Sequence, residues 1–444
     1  MTRDVRALTI GIRYGFDFLI LSLCALAIIL LLAWMNPSLA QTAAHTPDSP
    51  AVSTDMDAAL AVQIGGPSSV PAQIQSNQED RALPGPSLPE LSLRKRLAHE
   101  YGLDLGADYQ VLYQHASVSP DDNNAAGGVI RLYGQWTPFK RGSPDAGYLV
   151  FKVENRHRLG TDISPQALGS TLGYAGLTSA TFSDAGSLLT NLYWSRKYAD
   201  NRFAFAAGIV DVTDYVDVYG LVNPWTEFNN LAFSISPTIP APNQGLGAAV
   251  RLRFTPDNYY VLGGIADANG DPGDPGDALH SFFDVGEYFH HLEFGWIADW
   301  EHRYSDNIHM AAWQVDDRKE ANIEGGWGVA FSFSRVMSEQ WLPFVRAGYS
   351  DGGGALVDRT VSAGLGYRIN DRNDYIGLGA NWGRPATESA ADNSSDQYTF
   401  EAYYRLQVLP QLQIVPSVQL ILDPADNPSI DSLWVPGLRV RAVF

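Results

Sequence analysis

The chain has 444 residues, a formal net charge of −19 at neutral pH and 45% hydrophobic residues. The negative charge argues against a nucleic-acid partner, because such partners are recognised by basic surfaces. The one cysteine, Cys24, lies within a segment that we expect to be removed on export. The mature protein would then contain no thiol, which excludes a disulfide framework, cysteine metal sites and a cysteine nucleophile.

Residues 1–40 have the features of a cleaved export signal. Basic residues precede an apolar run from Phe18 to Trp34, and small residues follow at Ser38 and Ala40. The run is long for a signal, so a helical anchor that stays in place is the alternative. No later run of about 18 apolar residues occurs. If the rest of the chain crosses a membrane, it must do so as a closed barrel, because only helices and closed barrels pair all their backbone groups in lipid.

Residues 41–90 are rich in Pro, Ala, Ser and Gln and show no sustained hydrophobic period. This composition predicts a flexible segment. The next residues, Leu91–Tyr101, have helical spacing and are followed by Gly102, which is typical of a helix end. We expect a short amphipathic helix here on the periplasmic side, with the frayed end of the linker as the alternative. The predicted main domain is 91–444.

From Asp104 to Phe444 the chain alternates apolar and polar residues in sixteen segments separated by Gly, Pro, Asn and Asp turns. An alternation with period two predicts strands with one apolar face. A soluble sandwich would show the same alternation, but the chain lacks the long core elements that a soluble domain of this size needs. Trp and Tyr also lie near strand ends, as in the girdles of membrane barrels. We therefore predict an all-β fold, a transmembrane antiparallel barrel of sixteen strands.

A barrel of sixteen strands encloses an aqueous channel, whereas one of eight strands has a packed interior. The connections alternate between short and long, and outer-membrane barrels place the long ones outside. The two longest, Gly160–Gly186 and Val212–Gly245, are predicted to fold inward. The expected function is therefore passage of a solute through the lumen.

Charged residues of the polar parity are the predicted lining of this channel. Opposed arginines and carboxylates would orient hydroxyl-rich solutes through several hydrogen bonds. The alternative is that these groups pair with one another and only make the barrel rigid. The predicted lining residues on the strands are Arg131, Glu154, Arg156, Arg251, Arg253, Glu293, Glu401 and Arg405.

Several ordered motifs resemble those of carbohydrate-selective porins of the OprB type. They are found at Asp211–Asp217, Leu221–Thr226, Pro237–Gly247, Arg131–Trp136 and Gln397–Arg405. The resemblance extends over about Leu91–Phe444 and leaves the Pro-rich segment outside it. It implies a sixteen-stranded channel in the outer membrane of a Gram-negative-type bacterium. Such a channel passes glucose and other small carbohydrates by facilitated diffusion.

Within this interpretation, Val212–Gly245 is the candidate constriction loop. Trp225 and Phe228 would offer apolar faces to a sugar ring, and Glu227 would supply hydrogen bonds together with Asn223, Asn229 and Asn230. The alternative is that these aromatic side chains pack the loop against the barrel wall.

One acidic stretch has the spacing of a metal-binding loop. Asp267, Asn269 and Asp271 alternate as in calcium loops, where alternate oxygens converge on one hard cation. Pro272 and Ala278 stand where an EF-hand needs Gly and Glu, so a solvated acidic loop is favoured over a metal site.

We expect no cofactor and no catalytic activity. The expected partners are small carbohydrates and outer-membrane lipid. A barrel-based surface enzyme such as a lipid hydrolase is the less favoured alternative, because it would require a Ser-His-acid constellation. A structural or adhesive barrel with a plugged lumen is the other alternative, and conductance separates it from a porin.

Overall fold

A computed structural model describes residues 64–81, 92–143, 146–198, 201–254, 258–386 and 395–444. The predicted export signal lies outside the described residues, and so do residues 41–63 and 82–90 of the predicted flexible segment.

Sixteen strands of the described residues form one closed antiparallel barrel, in which each strand pairs with its neighbour in the chain and β1 pairs with β16. The predicted fold class is confirmed. The strands are β1 Leu103–His115, β2 Asn124–Trp136, β3 Gly147–Arg158, β4 Gly186–Tyr198, β5 Phe203–Val210, β6 Gly245–Phe254, β7 Tyr259–Asp267, β8 Tyr288–Ile297, β9 Asn307–Val315, β10 Gly326–Ser334, β11 Trp341–Gly352, β12 Val357–Arg368, β13 Tyr375–Pro385, β14 Gln397–Leu409, β15 Leu412–Leu422 and β16 Ser432–Val443.

Neighbouring residues of one strand differ sharply in exposure. On β2, Ile130 and Leu132 are 53% and 45% exposed, whereas Arg131 between them is 0% exposed. On β8, Leu292 and Phe294 are exposed on either side of the buried Glu293. The apolar parity therefore faces outward and the charged parity faces the lumen, which is the arrangement of a barrel in lipid.

Exposed aromatic side chains mark both ends of the barrel. Trp136, Tyr259 and Trp341 lie where strands meet the short connections, and Tyr113, Trp327 and Trp434 lie where they meet the long ones. We call these ends the short-turn end and the long-loop end. Amphipathic rings at two levels are typical of the two membrane interfaces.

Two long connections fold into the barrel, as predicted. One covers 159–185 and contains helix α3, Pro165–Thr171, whose first turn is capped by the Ser164 hydroxyl. The other, 211–244, is here called the lumen loop, and nearly all of its residues are buried. A third long connection contains the short helix α4, Ala278–His280, and is largely exposed.

The structure differs from the predicted flexible segment at residues 64–81, here called the lumen segment. It contains helix α1, Val70–Arg81, which packs inside the barrel against β1, β2 and β3. Val70 and Ile74, spaced four residues apart on one face, are 1% and 0% exposed. The low hydrophobicity of the segment favoured disorder, but burial in the lumen stabilises a helix that its own propensity would not.

A second short helix precedes the barrel. Helix α2, Ser92–Arg96, continues as a π-helical turn over Leu97–Tyr101. Gly102 ends it with a φ of 67°, a left-handed conformation that glycine adopts without steric cost. Among the described residues, no helix has the length and apolar character needed to cross a membrane.

Candidate solute pathway in the barrel lumen

The lumen loop begins with locally capped turns. The Asp211 carboxylate accepts a hydrogen bond from the Thr213 N–H at 3.0 Å and opens a 3₁₀ turn over Val212–Asp214. Asn230 caps a second turn, Leu231–Phe233, through the Ala232 N–H at 3.0 Å. These caps satisfy backbone groups that would otherwise be unpaired in the interior.

One anchor of the lumen loop is centred on Asp217. Its carboxylate is fully buried, pairs with the Arg346 guanidinium and lies 3.3 Å from His309 Nε2. Arg346 also donates to the Ser234 carbonyl at 2.9 Å, and the Asp217 N–H donates to Glu293 at 2.8 Å. Charges from β8, β9 and β11 thus hold the loop at one side of the barrel.

A second anchor lies on β14 and β16. The two Glu401 carboxylate oxygens accept the backbone N–H groups of Asn229 and Asn230, at 2.8 and 2.9 Å. Arg439 donates to the Glu227 carbonyl at 2.7 Å. The Glu227 carboxylate in turn pairs with Arg405 and accepts a hydrogen bond from the Tyr403 hydroxyl. The loop is therefore fixed across the lumen by ionic hydrogen bonds on both sides.

A cavity of about 350 Å³ lies against the lumen loop. We call it the larger cavity. Its lining includes Lys152 and Arg156 from β3 and Asp211, Asp214 and Trp225 from the loop. Groups of both charge signs and an indole ring thus face one space, which is a suitable environment for a solute rich in hydroxyl groups.

Four charged side chains at the larger cavity form one connected set. Glu154 lies 2.7 Å from Arg156 and 3.7 Å from Lys152, and Lys152 lies 4.0 Å from Asp214. The Asn191 amide also donates to Asp214 at 3.2 Å. Burial raises the pKa of Asp214, in the loop, to about 6; Lys152 opposes the shift and Asp211 adds to it.

Trp225 is held between cationic groups. The Arg131 guanidinium lies 3.9 Å from the indole centroid, and that of Arg156 lies 5.8 Å from it. Arg131 is itself paired with Asp108 at 2.5 Å. Trp225 is 3% exposed, so its ring mainly packs the loop against the wall while it borders the larger cavity.

A second, smaller cavity of about 50 Å³ lies at the short-turn end. The guanidinium groups of Arg251, Arg253 and Arg303 lie 4.3, 4.7 and 4.8 Å from the Trp300 ring. Arg251 and Glu293 border this cavity together with Ile64 and Gly65 of the lumen segment.

The predicted lining residues therefore fall into three groups. Arg156 and Trp225 border the larger cavity, with Arg131 and Glu154 in contact with them. Arg251 and Glu293 border the smaller cavity, with Arg253 beside it. Glu227, Glu401 and Arg405 fix the lumen loop. The geometry of this last group agrees with the alternative interpretation, in which the charged groups pair within the protein and make the barrel rigid.

The structure corrects the interpretation of Phe228 and identifies residues that sequence reasoning missed. Phe228 is 1% exposed and packs on Phe233 and Tyr403, with ring centroids 4.8 and 4.9 Å away, so it offers no face to a solute. Asp211 and Asp214 were missed as cavity residues. The sequence signal that could have identified them is their position at the start of the predicted constriction loop.

Residues of the weak metal candidate form hydrogen bonds with one another and with Glu287. The Asp267 carboxylate accepts the Asn269 N–H at 2.9 Å, and the Asn269 amide donates to Glu287. An amide that presents its N–H₂ to a carboxylate is oriented away from cation binding. Within the described ranges, no group of three or more His, Cys, Asp or Glu side chains has metal-binding geometry.

The sequence contains one motif with the spacing of a serine nucleophile. Gly348–Gly352 has the Gly-x-Ser-x-Gly spacing of serine hydrolases, whose serine lies on a strand-to-helix turn. Here Ser350 lies within β11, and its hydroxyl donates to the Val357 carbonyl at 2.7 Å. The structural context of a nucleophile is therefore missing at this motif.

A closed barrel of sixteen strands, with a loop fixed across its lumen and a polar cavity beside the loop, has the architecture of a porin. Residues 298–444 match the family model described as the carbohydrate-selective porin, OprB family. This match over the last third of the chain confirms the predicted resemblance to this family.

One solved porin structure shares this fold, and others are similar to a lesser degree. The chain is 15% identical to OprB of Pseudomonas putida in its high-pH structure, with a TM-score of 0.60, and the match covers 80% of this chain and 96% of that one. The low-pH structure gives 14% identity, a TM-score of 0.47 and coverages of 81% and 100%. For a mutant porin of Rhodopseudomonas blastica the identity is 13% and the TM-score is 0.45, and the match covers 77% of this chain and 100% of that one. A comparison with curated protein sequences found no match.

Proposed function

We propose that this chain is a non-enzymatic porin of a bacterial outer membrane and that small neutral sugars cross it through the larger cavity. The observation that carries the proposal is the lining of that cavity, where Lys152 and Arg156 face Asp211 and Asp214 beside an indole ring. Outer-membrane lipid contacts the exposed apolar parity of the strands.

The cavity lining fits a solute that both donates and accepts hydrogen bonds. Sugar hydroxyl groups would donate to Asp211 and Asp214 and accept from Lys152 and Arg156. Lys152, Arg156 and Asp214 are already in ion pairs, and Asp211 accepts hydrogen bonds from Thr213 and Gln244, so a neutral solute displaces no counter-ion. Several moderate contacts permit entry and also release, which conduction requires. A volume of about 350 Å³ is at the lower end of small-molecule sites, roughly 300 to 1,000 Å³, and favours small sugars.

Liposome swelling with purified protein tests the proposal. We expect glucose to enter faster than a trisaccharide, and we expect Arg156→Ala to change the glucose rate. Arg158→Ala is the matched control, because Arg158 lies on the same strand but is exposed and pairs with Asp184 away from the cavity. If none of the tested sugars causes the liposomes to swell, the proposed function is contradicted.

One observation favours a second candidate, a non-conducting structural barrel: the lumen segment occupies part of the interior. Conductance decides between the two candidates, because a structural barrel would carry no current.

A further inference from the structure

The lumen segment follows a U-shaped path at the short-turn end of the barrel. It begins beside Tyr304, in the connection between β8 and β9, where the Tyr304 hydroxyl donates to the Gly65 carbonyl. The Gly66 N–H then donates to the Asp214 carbonyl of the lumen loop. Helix α1 runs back from there to Asn373, in the connection between β12 and β13, whose amide donates to Asp80 at 2.9 Å.

Contacts of the lumen segment reach several sides of the barrel. The Asn77 amide donates to the Tyr133 hydroxyl of β2 at 2.6 Å and accepts from Arg441 of β16 at 2.9 Å. Gln413 of β15 lies 3.4 Å from Asp80. Val70 and Ile74 join an apolar cluster of barrel-wall and loop residues that includes Tyr133. The segment therefore crosses the pathway and does not merely follow one wall.

The segment also separates the two cavities. Ser68 borders the larger cavity, whereas Ile64 and Gly65 border the smaller one. Only a few residues of the chain lie between these positions, and they are closely packed. A β-carbon at Gly66 would come 2.8 Å from the Val218 side chain. A sugar in the larger cavity thus meets the lumen segment before it reaches the short-turn end.

The two faces of α1 differ in what they contact. Val70, Ile74 and Asn77 are buried against the barrel, whereas Ser76 and Glu79 are partly or fully exposed within the interior space. The contacts of α1 combine apolar packing, one neutral hydrogen bond from Asn77 to Tyr133, and hydrogen bonds in which Arg441 or Asp80 carries the charge. Displacement of α1 leaves Arg441 paired with Asp108 at 3.1 Å, so the barrel side of this contact keeps its counter-charge.

We propose that residues 64–81 are an intramolecular plug: they bind the short-turn half of the lumen, close the pathway below the larger cavity, and must be displaced for sugar to pass. The inference rests on the proposed function, because a plug has consequences only in a channel.

The first test is the single-channel current of the full chain with residues 64–81 deleted, measured in a planar bilayer. We expect the conductance to rise several-fold over that of the undeleted protein. Deletion of residues 41–58, equal in length and outside the described residues, is the control and should change nothing. Equal currents through the deleted and undeleted proteins would overturn the plug and leave the porin intact. A deletion variant that stays closed would overturn both.

A pair of point variants keeps the test valid if the deletion variant does not fold. Ile74→Asp places a charge in the apolar contact of α1 and leaves every barrel residue unchanged. Ser76→Asp introduces the same charge on the opposite, solvated side of the same helix. We expect Ile74→Asp to raise the conductance towards that of the deletion and Ser76→Asp to leave it unchanged. If Ile74→Asp and Ser76→Asp change the conductance equally, the change does not come from displacement of α1, and the plug is contradicted.

A reversible crosslink tests whether displacement is needed for transport. Gly66→Cys with Val218→Cys places two thiols across the contact between the plug and the lumen loop, where the β-carbons need about 1 Å of relaxation to reach disulfide geometry. We expect oxidation to stop glucose uptake into liposomes and reductant to restore it. Uptake that continues with the crosslink formed would show that sugar passes a seated plug, and would overturn the proposal.

Discussion

The lumen loop and the lumen segment both fill the barrel, but they are held by different forces. The loop is fixed by buried charges, with Asp217 against Arg346 and Glu401 against two backbone N–H groups. The segment is held by the side chains of Val70 and Ile74 and by hydrogen bonds that join Asn77 to Tyr133 and Arg441, and Asp80 to Asn373. Hydrogen bonds to charged groups contribute about 1.5 to 3 kcal/mol each and neutral ones about 1 kcal/mol. Asp217 and Arg346 are both charged and buried, whereas each of these bonds of the segment has at most one charged group. The loop should therefore be a permanent constriction and the segment a removable one.

The largest effect should come from the Asp217 anchor. Asp217→Ala leaves Arg346 without its buried carboxylate, so we expect the free energy of unfolding to fall by about 3 to 5 kcal/mol. Urea unfolding in detergent, followed by tryptophan fluorescence, measures it. Asp184→Ala is the control, because its partner Arg158 is 45% exposed and the pair should contribute about 1 kcal/mol or less. Similar losses in both variants would mean that the buried Asp217 pair holds the loop no more firmly than an exposed ion pair would.

The Glu401 anchor should show an intermediate effect. Glu401→Gln keeps the side-chain shape but removes the charge that accepts two loop N–H groups, so we expect a loss of about 2 kcal/mol. The open-channel current should also become noisier, because the loop is less firmly held. Glu320→Gln removes the charge of an exposed glutamate and should alter neither quantity. If the open-channel current of Glu401→Gln is no noisier than that of the unchanged protein, the contact between Glu401 and the loop N–H groups does not fix the loop.

The lumen segment should respond locally. Asn77→Ala removes hydrogen bonds to Tyr133 and Arg441, so we expect α1 to open more often, at a cost of about 2 kcal/mol, while the stability of the barrel changes little. Amide hydrogen exchange of peptides from 64–81 measures this. Gln78→Ala, on the partly exposed side of α1, is the control. Faster exchange throughout the barrel would show that segment and barrel open together.

The smallest effect concerns pH. The raised pKa of Asp214, about 6, means that its carboxyl is mostly protonated at pH 5 and mostly ionised at pH 7.5. The larger cavity therefore gains negative charge as pH rises through 6, and permeability to cations relative to anions should increase modestly. Reversal potentials in a salt gradient measure this ratio. Asp214→Asn should remove most of the change, and Asp184→Asn should not. A pH response that persists in Asp214→Asn would assign it to another group.

The barrel wall could be predicted from the sequence because each strand carries its own signal. Ile130, Arg131 and Leu132 alternate in the sequence as they do in the structure, with no need of distant residues. The interior could not be predicted in the same way. Whether Glu401 binds a solute or the N–H groups of Asn229 and Asn230 depends on residues about 170 positions away, and one sequence does not record such pairs.

The lumen segment shows the same difficulty most clearly. Its Pro, Gln and Ser residues are typical of a linker, and Val70 and Ile74 alone give a weak helical period. The helix exists in contact with Tyr133, Arg441 and Asn373, which belong to three distant parts of the chain. Loop residues such as Asp211 and Asp214 were likewise recognised as part of a motif, while their place in the cavity depends on Lys152 of β3.

The most direct test of the central claim is the single-channel current through the protein during titration with glucose. If small sugars pass through the larger cavity, glucose should reduce the open-channel current in a saturable and reversible way, and the reduction should be altered in Arg156→Ala and preserved in Arg158→Ala. Open channels whose current is unaffected by glucose at any concentration would contradict a sugar pathway.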